Sequence, residues 1–525
     1  MATSRSEAAL SVHKDSSPQR PPFRRLLIAN RGEIAVRIVR ACRELGIESV
    51  AVYSEADTDA MHVAVADLAV AIGPRAASDS YLSIPAVIAA ARQTGAQAVH
   101  PGYGFLSENA AFARAVEEAG LAWIGPPPAT QEALGNKLAA RRSVTDAGVP
   151  VVPGLLVALE DGELPDLSSI GYPAMLKAAA GGGGRGMRRI SRPEELPSAV
   201  ESARREALSA FGDGTLYVER LISPARHIEV QLLGDRHGNL AVLGERDCSV
   251  QRRHQKLVEE TPSPAVTPEV RRALFDSARR VAATVEFHNA ATVEFLLDGE
   301  GNHYFLEMNT RLQVEHGITE LVTGIDIVAW QIRIAAGEPL PAELLDPEPR
   351  GHAVEVRIYA EDPYAGFRPV AGAVTAWRLP GGPGVRIDHA VTPGAALAPE
   401  YDPLLAKVMV HAADRPAALA RLRRALDEMV VGGLQTDLGF HRWLVDEPGF
   451  AAGDYHTGLI PELWGESGPP VDPLDASLAA LLAREARAAR SGSDGSDGSN
   501  GAADLAGRVA PDRAWARLAR EEARR

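Results

Sequence analysis

A change of hydrophobic rhythm near Gly171 divides this chain into parts that cannot share one architecture. Before it, short apolar runs alternate with segments of helical period. Leu26 to Ala29 reads as a buried strand, and Ile34 to Leu45 as a helix with Ile34, Ile38, Ala41 and Leu45 on one face. Gly46 ends that helix, and Glu48 to Tyr53 supplies the next strand. The helix Ile84 to Arg92 and the strand Ala96 to His100 continue the alternation, which runs to about Pro128. Strands alternating with helices imply a parallel sheet wrapped by helices.

After Gly171 the strands come as hairpins. Ala174 to Ala179 and Met187 to Ile190 flank a glycine run, and His227 to Leu233 and Leu240 to Gly244 flank a turn-rich connection. Ala291 to Leu297 and His303 to Glu307 flank Asp298-Gly299-Glu300-Gly301. This is an α+β region of largely antiparallel sheet, with helices such as Pro268 to Thr284. A further domain starts near Gly351 with the strand His352 to Ala360 and continues to about Trp464. A chain of 525 residues accommodates about three such domains. Ser491 to Asp504, SGSDGSDGSNGAAD, reads as a flexible linker between two segments with amphipathic helical character.

The net charge of −14 argues against nucleic acid or an anionic membrane as the main partner. The two cysteines, Cys42 and Cys248, stand in no CxxC pair, which disfavours a disulfide framework or structural zinc and suits a reducing cytoplasm. The first 22 residues lack an apolar core and read as a flexible leader, and no stretch is apolar enough to span a bilayer.

Four local patterns carry chemistry. In GYPAMLKAAAGGGGRGM, four consecutive glycines (Gly181 to Gly184) bury no side chain but allow close backbone approach to an anion, with Lys177 on the preceding strand. No Walker loop is present. In the third hairpin, a turn centred between Glu300 and Gly301 sets Glu294 opposite Glu307 and Leu297 opposite Tyr304, with Asn309 on the face of Glu307. Like charges opposed on a sheet destabilise it, so two carboxylates and an amide oxygen point to a hard cation such as Mg²⁺. NTRLQVEHGITE gathers Arg311, Gln313, Glu315 and His316 beside that centre, a set able to bind and deprotonate a small oxyanion acid. QRRHQK, Gln251 to Lys256, is a basic cluster suited to neutralising phosphate or bicarbonate.

These segments, with IANRGEIAVRIVRACRELGI, HPGYGFLSEN, RDCSVQRRHQK and YDPLLAK, closely resemble the biotin carboxylase family of ATP-grasp ligases, from about Arg24 to Trp464. The resemblance implies an α/β and α+β multidomain fold: a Rossmann-like N-terminal domain over 23–135, an ATP-grasp domain over 136–345 with a glycine-rich lid at about 150–222, a C-terminal domain over 350–464, and a linker with a helical tail over 465–525. It implies ATP contacts from Lys137, Lys177, Gly182, Gly183, Gly184, Glu219, Ile222, His227, Gln251 and His254. Glu294, Glu307 and Asn309 would hold Mg²⁺ or Mn²⁺. Lys256, Arg311, Gln313, Val314 and Glu315 would form the bicarbonate site, with Glu315 as general base, and Tyr103 and Arg357 would contact biotin.

Two departures from the family pattern stand out. Gly317 replaces the usual proline after Glu315-His316, which is expected to loosen the turn there. The tail has no Ala-Met-Lys-Met attachment motif, so biotin is expected as a substrate on a separate carrier protein. A carboxyltransferase would then work in trans, with the chain forming a homodimer or part of a larger complex. The rivals are another carboxyphosphate-forming ATP-grasp ligase and a silent scaffold. On the favoured reading, Glu315→Gln or Arg357→Ala is expected to leave the fold intact and abolish biotin carboxylation.

Overall fold

The computed structural model describes residues 22–157, 164, 166–178, 187–211 and 214–469. Gly182, Gly183 and Gly184, the leader before residue 22 and the linker and helices expected beyond 470 lie outside the described residues.

The N-terminal alternation folds as a parallel sheet. Strands β1 (Arg25–Ile28), β2 (Glu48–Ser54), β3 (Leu68–Gly73), β4 (Ala98–His100) and β5 (Ala122–Trp123) lie in the order β3-β2-β1-β4-β5. The order reverses between β1 and β4, and in open α/β sheets a ligand crevice opens beyond the carboxyl ends of strands at such a point. The segments that leave β1 and β4 meet there: Asn30 Nδ2 donates to the carbonyls of Pro101 and Tyr103, both at 2.7 Å. Helix α1 (Gly32–Glu44) buries Ile34, Ile38 and Cys42, and this stripe shares one core with Leu233, Leu243, Ile327 and Ile332 of the central region. Each such side chain contributes about 2 kcal/mol of burial, so the first domain is locked onto the second by its own amphipathic helix.

A small antiparallel sheet follows. It contains β6 (Gly154–Val157), β7 (Ala174–Ala178), β8 (Arg188–Ile190) and β9 (Leu216–Arg220), in the order β6-β9-β7-β8. Helix α2 (Lys137–Asp146) precedes β6, and α3 (Leu196–Phe211) follows β8. This unit has its own core around Leu176, Ile190, Leu196 and Val218.

Eight of the remaining strands form one large sheet. They are β10 (Ala225–Gly234), β11 (Leu240–Arg252), β12 (Gln255–Thr261), β13 (Asn289–Asp298), β14 (His303–Asn309), β15 (His352–Tyr359), β16 (Val385–His389) and β17 (Leu404–Ala412). Their order is β14-β13-β10-β11-β12-β15-β17-β16. Helix α4 (Pro268–Ala282) covers one end with Leu274, Ala278 and Val281, and α5 (His316–Thr323) lies against the middle. The sequence pattern places a domain boundary between β14 and β15, yet β12 and β15 pair directly, with Val258 opposite Val356 and Thr261 opposite Ala353. The backbone ladder thus runs unbroken from the central region into the C-terminal one. Lys256 and Arg357, which belong to different sequence domains, fall on neighbouring strands.

The hairpin β13–β14 sets Glu294 opposite Glu307, as the turn position predicts. Leu297, however, faces His303 and not Tyr304. The register slips by one between Glu294 and Phe295, whose partners are Glu307 and Phe305, leaving Leu306 as the extra residue of a β-bulge. Counting back from the turn cannot foresee an insertion of this kind.

Candidate active site

A cavity of about 1430 Å³ opens at the switch point of the parallel sheet, between the small sheet and the face of the large one. One wall gathers the expected nucleotide contacts. Lys137 starts α2, Lys177 stands on β7, Glu219 on β9, and Ile222 and His227 follow. Gln251 and His254 belong to the β11–β12 hairpin. Lys177 Nζ lies 2.5 Å from Glu219 Oε2, and Arg141 holds the other oxygen of the same carboxylate. The hairpin turns through Arg253 and His254 alone, both at positive φ (49° and 70°), a conformation that costs a non-glycine residue energy. That turn carries His254 to the cavity. Burial, then the charges of Lys177 and His227, holds its imidazole below the usual histidine range and keeps the ring neutral.

The second wall is the carboxylate pair. Glu294 is buried and Glu307 half-exposed. Lys137 Nζ lies 3.5 Å from Glu307 Oε2, while Lys256 Nζ and His227 Nε2 lie 2.9 and 3.1 Å from the two oxygens of Glu294. Asn309 Nδ2 donates to Glu294 at 2.9 Å, and its Oδ1 accepts from Arg311 at 3.2 Å. Two opposed carboxylates and an amide oxygen at the cavity edge fit a hard, oxygen-seeking cation. His227, Glu229 and Glu294 also lie close enough to share an ion. Lys256 already bridges Glu229 and Glu294, at 2.5 and 2.9 Å, so the need for positive charge there is met by an ammonium.

Behind these walls lies a buried ion cluster. Glu315 is fully buried and sits behind the lining, not in it. Lys256 Nζ donates to its Oε1 at 2.7 Å and Arg357 Nη2 to its Oε2 at 3.0 Å. Burial alone would push the carboxyl up, but Lys256, Arg357 and Arg246 outweigh it and hold Glu315 well below the usual carboxylate range. Lys256 and Arg357 face the cavity with Arg311, Gln313 and Val314, and Tyr103 lines it from the N-terminal domain. Arg311 Nε is held by Glu108 Oε2 at 2.9 Å, and its Nη1 donates to Gln313 Oε1 at 3.0 Å. Gln313 Nε2 is buried and has no acceptor among the described residues. An anion entering here meets two guanidinium groups, one ammonium and an unpaired amide N–H, a strongly favourable setting for a small oxyanion.

Three known domain families match this chain in sequence. Residues 22–131 match the biotin carboxylase N-terminal domain, residues 136–343 the carbamoyl-phosphate synthase L chain ATP-binding domain, and residues 355–462 the biotin carboxylase C-terminal domain. A biotin carboxylase of Halalkalibacterium halodurans is 49% identical over 440 residues, which cover 83% of this chain and 97% of that protein. The chain belongs to the biotin carboxylase family. It is accordingly an ATP-dependent ligase. A pyruvate carboxylase subunit from Methanothermobacter thermautotrophicus is 47% identical, over 84% of this chain and 90% of that one. The biotin carboxylase domain dimer of Hydrogenobacter thermophilus 2-oxoglutarate carboxylase, solved with MgADP, ADP and bicarbonate, superposes with a TM-score of 0.79. It is 45% identical and spans 84% of this chain and 97% of that one.

Several residues that support the site carry no signal in the local sequence. Arg246 is fully buried, donates to Glu229 and reaches Gln231 at 2.9 Å and Thr319 at 2.8 Å. Lys407 is fully buried and donates to the carbonyl of Val314 at 2.8 Å, with Glu33 3.1 Å away, and Glu33 in turn holds the Tyr103 hydroxyl. Each lies in a motif that carried the resemblance: Arg246 opens RDCSVQRRHQK, Lys407 ends YDPLLAK and Glu33 is in IANRGEI. Nothing local marks them as buried ions. Gly317 falls in the first turn of a helix. It is buried in α5, and a Cβ there would come within 2.4 Å of Met409 Sδ on β17. The sulfur occupies the space a proline ring would need, so the glycine is part of a close contact between helix and sheet.

Proposed function

We propose that this enzyme carries out the first half-reaction of an acyl-CoA-type carboxylase, the ATP-dependent carboxylation of biotin by bicarbonate through carboxyphosphate. The observation that carries this reading is the arrangement around Lys256 and Arg357. A buried carboxylate, Glu315, is held by two cations that also face a large cavity, between a phosphate-type wall and Tyr103.

In this reading Lys137, Lys177, Glu219, Ile222, His227, Gln251 and His254 bind ATP, as do Gly182, Gly183 and Gly184, which lie outside the described residues. Glu294, Glu307 and Asn309 would hold Mg²⁺ or Mn²⁺, which would supply charge neutralisation at the transferring phosphoryl group. Bicarbonate binds against Lys256, Arg311, Gln313 and Val314. Its negative charge competes with Glu315 for Lys256 and Arg357. As those cations turn toward substrate, burial dominates and the affinity of Glu315 for a proton rises. Base strength is thereby coupled to occupancy of the site. Glu315 takes the bicarbonate proton, the oxyanion attacks the γ-phosphorus, and the bond to the β–γ bridging oxygen breaks to release ADP. Carboxyphosphate splits into CO₂ and phosphate. Phosphate removes the N1′ proton of biotin, Arg357 stabilises the enolate and Tyr103 steadies the ureido ring, and N1′ attacks CO₂. The intermediate is labile in water, so the reaction depends on keeping solvent from it.

Biotin is taken to arrive on a separate carrier protein and to leave for a carboxyltransferase partner, in keeping with relatives such as the Methanothermobacter pyruvate carboxylase subunit. A homodimer and a cytoplasmic setting complete the proposal. They are supported by the dimeric Hydrogenobacter domain and by two buried, unpaired cysteines. Among the described residues no helix is long and apolar enough to cross a membrane. The purified enzyme is expected to release ADP in a bicarbonate-dependent manner that free biotin stimulates. Bicarbonate-dependent ADP release indifferent to biotin would favour the other carboxyphosphate-forming ligases instead.

A further inference from the structure

One buried pair of carboxylates is left unused by this chemistry. Glu259 on β12 and Glu355 on β15 stand directly opposite each other in the antiparallel ladder, and neither is exposed to solvent. Opposed carboxylates repel, and burial removes the water that would screen them. Glu259 Oε1 accepts from Arg357 Nε at 2.7 Å. The other three oxygens, Glu259 Oε2 and both of Glu355, are buried with no donor among the described residues.

The charges that face the pair are committed elsewhere. Lys256, on β12 itself, is shared among Glu229, Glu294 and Glu315. On β15, Arg357 is divided between Glu259 and Glu315. Lys407 on β17 donates to the Val314 carbonyl and lies beside Glu33 and Asp388. Cys248 on β11 is a thiol that burial pushes well up, and His316 at the start of α5 is held low by burial and by Lys407, so both are neutral. Among the described residues no cation remains for Glu355. Burial pushes both acids up; Arg357 opposes it on Glu259, where Glu315 adds to it, and Lys407 opposes it on Glu355, where Glu259 adds to it.

We propose that Glu259 and Glu355 share a single proton and act as a positioning pair that holds Arg357 between Glu259 and Glu315. One proton removes one of the two buried charges and supplies a donor for the orphaned oxygens. In this state the pair carries one negative charge, and Arg357 can divide its guanidinium between Glu259 and the cavity side. When the proton leaves at alkaline pH, the doubled charge draws Arg357 toward the pair and away from the cavity. The inference rests on the reading of Arg357 as a biotin contact.

Glu355→Gln copies the neutral acid and separates the possibilities. At neutral pH the variant is expected to keep kcat for free biotin within about threefold of wild type, while the alkaline fall of kcat/KM for biotin moves up by about one pH unit or more. The infrared spectrum of the wild-type enzyme is expected to show a buried carboxylic-acid C=O band at neutral pH that the substitution removes. An unchanged alkaline limb, a neutral-pH loss beyond about tenfold in a folded variant, or absence of the band from wild type overturns the proposal. The spectrum decides the matter even if the variant does not fold. Failure of wild type to carboxylate biotin, with the band present, would count against the functional reading and leave the shared proton standing.

Discussion

Glu315→Gln is expected to lower bicarbonate-dependent ADP release and biotin carboxylation together, by about a thousandfold, while thermal stability changes little. The carboxamide is isosteric with the carboxylate, but its single oxygen accepts from only one of Lys256 and Arg357, which reach the two carboxylate oxygens separately, and its NH2 faces the other. What it cannot do is take a proton from bicarbonate. Lys256 keeps Glu229 and Glu294 as partners and Arg357 keeps Glu259, so neither cation is stranded by the substitution. A steady-state assay with the thermal midpoint measured on the same preparation checks both halves. Retention of ADP release at near wild-type rate would assign the base elsewhere.

The second large effect is on the fold as much as on the chemistry. Lys256 Nζ stands 2.5, 2.9 and 2.7 Å from carboxylate oxygens of Glu229, Glu294 and Glu315, all three of them buried. Exposed ion pairs contribute at most about 1 kcal/mol. Removing one partner from a buried cluster instead strands charge in a low-dielectric interior, at about 3–5 kcal/mol. Lys256→Met is therefore expected to abolish activity and to lower the thermal midpoint by roughly 10 °C. The pH dependence gives the sign. In the wild type, Lys256 helps hold Glu294 and Glu315 low, so the stability they contribute is present above the ordinary carboxylate range and fades as pH falls below it. In the variant these acids lose that support and take up protons more readily. The deficit should be full near neutral pH and shrink on acidification, as thermal melts across pH will register. Equal midpoints at neutral pH would show that the cluster tolerates the missing charge.

Arg357→Ala carries the same kind of penalty. That guanidinium is buried between Glu259 and Glu315, so truncating it perturbs stability along with biotin binding, and an intact fold no longer follows. Glu315→Gln separates chemistry from stability more cleanly.

Local periodicity makes much of this architecture legible. Strand–helix alternation announces the parallel sheet, and turn residues place the hairpins, because both signals lie within a few residues of the structure they specify. The opposition of Glu294 and Glu307 follows from one turn centre. The bulge at Leu306 does not, because an inserted residue leaves no mark in an alternating pattern. The pairing of β12 with β15 is equally hidden. Its partners, such as Thr261 and Ala353, are far apart in sequence and come together only through tertiary packing. For the same reason Arg246 reads as one charge among several in its strand and Lys407 as a lone charge in an apolar one, though both are fully buried. Spacing gathers Glu315 beside the carboxylate pair, whereas the structure sets it behind Lys256 and Arg357. Its ion partners cannot be read from spacing, since one lies well before it in the chain and the other well after it.

The fate of the bicarbonate oxygens separates carboxyphosphate formation from simple ATP hydrolysis. If bicarbonate is activated as carboxyphosphate, turnover with ¹⁸O-labelled bicarbonate, ATP and free biotin must place one labelled oxygen in the phosphate released. Mass spectrometry of that phosphate is predicted to show the label in step with ADP formation. Unlabelled phosphate accompanying full turnover would contradict the account, because the γ-phosphoryl group would then have gone to water.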